Sequence, residues 1–251
     1  MSLINIELYK LRRKHLLIMA VLFLSVELTW AFTVTGKSIS RNAGNVGWEA
    51  LISIVASMNG LFLPVLTSVC VSRIWDMEHK GNTLKMLLTL PVRQNRLYAA
   101  KYVSVFIIMA AVCMVQVIAV AIFGLTNSFA RPVPVFLLSG FLTGTVMVSM
   151  TVIALQQWLS MAVKNQAFAL AFGMIGGFLG VVADLFPEKV RKIFIWSYYT
   201  GLCPVTQVYM NGSVWFTVRD HGSLLSSAAR LIIVGIVFYF AGSIHVSKQE
   251  I

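Results

Sequence analysis

The sequence predicts an all-α integral membrane protein: six transmembrane helices, an N-terminal amphipathic interfacial helix, and an outer re-entrant helical hairpin before the last span. Three observations carry that expectation. Hydrophobic residues make up 58% of the 251 positions and charged residues only 12%, against about 25% charged in an ordinary soluble domain. The mean hydropathy is +0.82. The apolar residues also fall in runs of about 20, the length a helix needs to cross a hydrocarbon core about 30 Å thick. Six such runs leave no room for a separate water-soluble catalytic domain, so residues 1–251 read as a single transmembrane domain. This composition excludes a soluble globular enzyme, a disordered chain and a nucleic-acid module.

The elements follow in order. Residues 1–15, MSLINIELYKLRRKH, form the amphipathic helix, with Ile4, Leu8 and Leu11 at helical spacing opposite Asn5, Glu7 and Lys10. Arg12, Arg13 and Lys14 then precede an apolar run from Leu16 to Thr35. That run is longer than the roughly 7–15 residues of a signal-peptide core and lacks a clear small-residue cleavage site, so it reads as a retained span. The other spans are Glu49–Val71, which Asn59 and Pro64 interrupt, then Tyr102–Leu125, Pro134–Val163, Phe168–Phe186 and Leu224–Ile244. Residues 187–222 form the outer hairpin. Within it, Val190–Met210 clusters Phe194, Trp196, Tyr198, Tyr199 and Tyr209 around Lys192, Gly201, Pro204 and Gln207, as membrane-interface belts do. It reads as two short helices that dip into the outer leaflet and break near Pro204. If the stretch spanned instead, seven helices would put the C-terminus outside.

Charge patterning orients the chain. The formal charge of +11 comes from 20 bases against 9 acids, and the bases gather at the flanks of apolar runs. With both termini inside, twelve bases lie on the termini side and seven on the other, with Arg230 inside the last span. The positive-inside rule then places both termini in the cytoplasm.

Local motifs point away from catalysis. Thr35-Gly36-Lys37-Ser38 ends like a phosphate-binding loop, but Ala31 stands where the first glycine belongs and no strand precedes it. His15, His79, His221 and His245 are scattered, and neither a HExxH helix nor a GxSxG turn is present. Cys70, Cys113 and Cys203 form no CxxC. No catalytic residue, metal site or cofactor site is expected in this chain. Polar residues at membrane depth are Glu27, near Trp30, with Asn59, Gln116, Gln156, Gln157 and Asp184. They are functional candidates because buried polar groups are costly in hydrocarbon, and the amides also serve as glue between helices. For Glu27 both readings stay open. Gly173, Gly176, Gly177 and Gly180 give two overlapping GxxxG spacings in the fifth span, and Gly140 and Gly144 add a third in the fourth; these are packing signals.

The most informative stretch is the cytoplasmic segment 73–101. It is too polar to span and too apolar for a solvated linker. Asn82 or Thr83 caps a short helix whose Leu84, Leu87 and Leu88 share a face, and Pro91 ends it. Here Glu78-His-Lys-Gly81-Asn82-Thr83, Leu87-Leu88-Thr89-Leu90-Pro91-Val92-Arg93 and Lys101 resemble the pattern of ABC-2 type permeases, the membrane half of ATP-binding-cassette transporters. Two departures are Asn82 between Gly81 and Thr83 and the missing serine before Arg93. Glu7-Leu-Tyr-Lys10-Leu-Arg-Arg resembles the basic amphipathic helix of that family, and the aromatic stretch before the last span resembles its short outer hairpin. The compact size and the EHKGNT-LKMLLT-P stretch are most similar to lantibiotic-immunity permeases.

The resemblance implies a permease, not an enzyme, in a bacterial cytoplasmic membrane. ATP and Mg would be bound by a separate cytoplasmic ATPase subunit present in two copies. A second permease, homologous or identical, would complete the complex, which would expel antimicrobial peptides; membrane lipid surrounds it, and no nucleic acid is involved. The implied coupling residues are Asp76, Glu78, Lys80 and Lys85 to orient docking, Leu84, Leu87 and Leu88 for apolar contact, and Gly81, Thr83 and Pro91 to shape the segment. A cationic peptide substrate would meet Glu27, Glu49 and Asp184 with Trp30, Trp196, Tyr198 and Tyr199. An ABC-2 permease for a drug, lipid or polysaccharide would share nearly all of these features. A membrane-embedded enzyme or an ATPase-independent transporter would lack the ATPase partner.

Overall fold

Apolar periodicity becomes long helices in the computed structural model, which describes residues 3–13, 15–41, 47–80, 94–129, 132–210 and 213–248. The helices are α1 Leu3–Arg13, α2 Leu16–Arg41, α3 Trp48–Lys80, α4 Gln94–Thr126, α5 Val135–Ala162 and α6 Gln166–Val182. Short turns follow, including α7 Glu188–Arg191 and α8 Tyr198–Gly201, then strands β1 Val205–Met210 and β2 Ser213–Val218, and last α9 His221–Ser247. Five of these helices (α2, α3, α4, α5 and α9) are long and apolar enough to cross a membrane, and α6 is a shorter apolar helix of 17 residues. Asn165 caps α6 by accepting a hydrogen bond from the Ala167 N–H at 3.0 Å, and Asp220 caps α9 through the N–H groups of Gly222 and Ser223.

The start of α4 packs both against α1, through Lys101 and Glu7, and against the later part of α9. Tyr98 and Tyr102, early in α4, pack on Tyr239 near the end of α9, with ring centroids 5.6 and 5.1 Å apart. Leu11 of α1 and Val246 of α9 belong to the same buried cluster. A second cluster sits toward the hairpin and joins Leu51, Ile52 and Val55 of α3 to Phe141 of α5 and Val205 of β1.

Four sequence expectations change. Asn59 and Pro64 do not interrupt α3, which runs unbroken through both. Proline removes one N–H and clashes with the carbonyl four residues back, here that of Gly60, whose oxygen faces Gly180 of α6. The kink-prone turn is thus buttressed by a neighbouring helix. Second, α3 and α4 are 33 residues each, about 50 Å at 1.5 Å per residue. Arg73–Lys80 and Gln94–Lys101 are therefore helical extensions of spans rather than parts of a separate segment.

Third, the break at Pro204 leads into a β-hairpin, not a second helix. β1 and β2 pair antiparallel with Val205 opposite Val218 and Val208 opposite Trp215. The signal was present: Val-Thr-Gln-Val-Tyr and Val-Trp-Phe-Thr-Val flank Asn211-Gly212, the strongest short hairpin cue. Fourth, Glu7 does not lie on a solvated face; it is 2% exposed.

The glycine spacings of α6 serve two partners. A Cβ on Gly177 would lie 2.7 Å from the Leu61 carbonyl oxygen, and one on Gly173 would collide with Ser68, both on α3. Gly176 instead makes room for the Trp196 ring.

Candidate functional site

The most distinctive chemistry lies where α1, the end of α3 and the start of α4 converge. Lys101 is 1% exposed and its ammonium sits between two carboxylates. It donates to Glu7 Oε2 at 3.1 Å and to Glu78 Oε1. Lys10 closes the set with a 2.7 Å bond to Glu7 Oε1, and the Lys101 ammonium lies 5.3 Å from the Trp75 ring centroid. Two acids thus balance two bases at a buried junction, the arrangement that makes buried charge tolerable. Burial pushes the Glu7 carboxyl upward, but the Lys101 charge and the hydrogen bonds from Lys10 and Lys101 outweigh it and hold the group below its usual value of 4.5. Its contribution to stability is therefore present above about pH 4.5 and is lost as pH falls through the depressed folded value.

This junction brackets residues 81–93. Glu78 stands just before that stretch and Lys101 shortly after it, so the ion cluster fixes the two helices that carry the segment and ties them to α1. Of the coupling residues expected from sequence, Asp76 is half-buried on α3 and Glu78 is 3% exposed within the cluster. The Lys80 side chain and Gly81, Thr83, Leu84, Lys85, Leu87, Leu88 and Pro91 lie outside the described residues. Sequence reading missed the roles of Glu7 and Lys101. A lone acid in a basic N-terminal helix, and a lysine at the start of an apolar run, were the available signals.

A second polar cluster crosses the bundle. Gln116 Nε2 of α4 donates to Glu27 Oε1 of α2 at 3.0 Å and to Asn59 Oδ1 of α3 at 2.7 Å, while Asn59 Nδ2 returns a bond to Gln116 Oε1 at 3.1 Å. All three side chains are at most 1% exposed. Nearby, the hydroxyls of Ser149 in α5 and Tyr199 in α8 lie 3.1 Å apart. Glu27 therefore faces the bundle interior, and the amides act as the interhelical glue their placement suggests.

The residues expected to meet a substrate are not gathered together. Trp196, Tyr198 and Tyr199 are buried, with Trp196 edge-on to Phe172 at 5.6 Å. Trp30, about one turn along α2 from Glu27, is 61% exposed and borders a shallow groove of about 450 Å³ with Ser25, Thr29, Thr33 and Lys37. Glu49 is half-buried in the first turn of α3, and Asp184 lies in the turn after α6, its side chain outside the described set. Among the described residues no group of three metal-ligating side chains is present.

Residues 3–180, from α1 through nearly all of α6, match the family model of the ABC-2 family transporter proteins. The chain belongs to the ABC-2 transporter family. It is accordingly a permease of an ABC transporter, a multi-pass membrane component that is not itself catalytic, and membership implies association with an ABC ATPase. No curated protein matches the chain. In this ABC-2 permease the β-hairpin and α9 lie beyond the matched residues.

Proposed function

We propose that this ABC-2 permease is the membrane subunit of a bacterial transporter that expels lantibiotic-type antimicrobial peptides, powered by two copies of a cytoplasmic ATPase docked at residues 81–93. The observation that carries the coupling part is the buried Glu7–Lys101–Glu78 cluster, which welds both flanks of that segment to the N-terminal helix. A push on the segment would move α1, α3 and α4 together, because breaking the cluster strands a buried charge. Glu78 then positions the docking segment, while Asp76, Lys80 and Lys85 orient the partner and Leu84, Leu87 and Leu88 supply apolar contact. Rigid-body tilting of the helices would switch the permease between two arrangements.

The topology that suits this cycle has six spans, with α6 as the fifth and both termini cytoplasmic. Support comes from the packing of α1 and the later part of α9 against the start of α4, and from the bases near the chain ends. A second permease, homologous or identical, would pack on the exposed apolar faces. The peptide would meet the outward face of α2 at Trp30, where the groove offers apolar walls, with Glu49 and Asp184 nearer the water for its cationic groups. Buried Glu27 would shape that face from within the bundle, while Trp196 and Tyr199, packed on α6 and α5, would brace the helices behind it.

The substrate is tested by expressing the chain with its partner subunits in a sensitive bacterium and measuring growth inhibition by a lantibiotic, a hydrophobic drug and a detergent. The expected result is a several-fold rise in tolerance to the lantibiotic alone, lost on Trp30→Ala. Tolerance raised for the drug but not the peptide would assign a different cargo.

A further inference from the structure

At the hairpin end, β1, α8 and the outer part of α3 enclose a half-open cavity of about 200 Å³. Two guanidinium groups from separate segments reach it, Arg191 at the end of α7 and Arg219 just after β2. Around them stand the hydroxyls of Ser53, Ser57 and Thr200 and the Gln207 amide. The site is built rather than incidental. Gln207 Nε2 donates to Ser53 Oγ at 3.2 Å, which ties the strand to α3, and the Arg219 backbone N–H donates to the Pro204 carbonyl at 2.8 Å, which fixes the main chain of the arginine at the hairpin's base.

No carboxylate lines the cavity among the described side chains. The adjoining stretch 184–192 carries Asp184 and Glu188 against Lys189, Arg191 and Lys192. The acid next to Arg219, Asp220, is engaged in capping α9. Both arginines make further interactions, and five donors per guanidinium leave capacity beyond them. The rim has an apolar edge: Leu185, which lines the cavity, is 84% exposed.

We propose that this cavity binds a phosphate group, held by the Arg191 and Arg219 guanidinium groups with the Ser53 and Ser57 hydroxyls. Paired guanidinium forks match phosphate oxygens bidentately, and Ser53 and Ser57, one turn apart on α3, add hydroxyl donors from a third element. A volume of about 200 Å³ admits a headgroup and no more. The same chemistry is offered by a phospholipid headgroup, whose chains would lie along the apolar rim, and by a free phosphate. The site stands apart from the peptide reading: it takes the opposite charge, on different residues.

The test uses the full chain in detergent, titrated with short-chain phosphatidylglycerol below its micellar concentration and followed by tryptophan fluorescence. Saturable binding is expected, weakened about tenfold or more by Arg191→Gln or Arg219→Gln, and by less than about twofold by Lys192→Gln, which lies outside the cavity. Ser57→Ala, which leaves all charges in place, should weaken it several-fold and guards against misfolded arginine variants. If inorganic phosphate at similar concentration fails to compete, the source is a lipid headgroup; if it competes fully, the source is a free phosphate. Equal binding of a neutral short-chain diacylglycerol, or equal loss in Lys192→Gln and Arg219→Gln, would overturn the proposal.

Discussion

Replacing Lys101 by methionine is expected to destabilise the protein by about 3–5 kcal/mol, because Glu7 and Glu78 would be left buried without their shared cation. Thermal unfolding in detergent measures the loss. The double variant Lys101→Met/Glu78→Gln should recover part of it, since one stranded charge is removed along with its partner. Lys10→Met provides the contrast. Its side chain is 36% exposed, so the same change there should cost about 1 kcal/mol or less. Equal losses at Lys10 and Lys101 would mean that the cluster is not the buried junction described.

The second large effect concerns the α3–α6 contact. Gly177→Leu should abolish close packing of the two helices, since a Cβ at that position already lies 2.7 Å from the Leu61 carbonyl oxygen and 3.2 Å from Val65 Cγ2. Backbone cannot yield as a side-chain tip does, so the cost should exceed the roughly 1–3 kcal/mol typical of overpacked cores. Gly36→Leu is the matched control, because nothing lies within 4 Å of its Cβ position. A monodisperse, thermally unaltered Gly177→Leu protein would show that α6 does not seat on α3 as described.

Much of the fold was legible because membrane insertion writes itself in composition. Runs of apolar residues fix where α2, α4, α5 and α9 lie, and the glycine ladder of α6 announced a close helix contact without naming its partner. Pro64 misled because its local rule is a helix break, whereas the neighbouring α6 glycines buttress the turn. The β-hairpin was hidden by attention to the aromatic cluster that precedes it; Asn211-Gly212 and the alternation around it carried the information. For the candidate site, Glu78 and Lys101 were visible as motif positions, but the pairing of Lys101 with both Glu78 and Glu7 was not. A contact between residues 94 positions apart leaves no periodic trace in a single sequence. Glu27 likewise could be ranked as costly at membrane depth, yet only the fold reveals that Gln116 donates to it and is itself held by Asn59.

The central claim is that residues 81–93, held between α3 and α4 by the Glu7–Lys101–Glu78 cluster, receive the force of an ATPase. Site-specific cross-linking tests it most directly. With Leu84→Cys carrying a photoactivatable cross-linker in native membranes, irradiation should yield one adduct whose partner is identified by mass spectrometry as an ATP-binding-cassette protein. Trp215→Cys at the hairpin should give no such adduct. The adduct should weaken in the Lys101→Met background while the chain remains membrane-inserted. Capture of the ATPase from the hairpin position, or no capture from residue 84 in a membrane where transport is intact, would contradict the account.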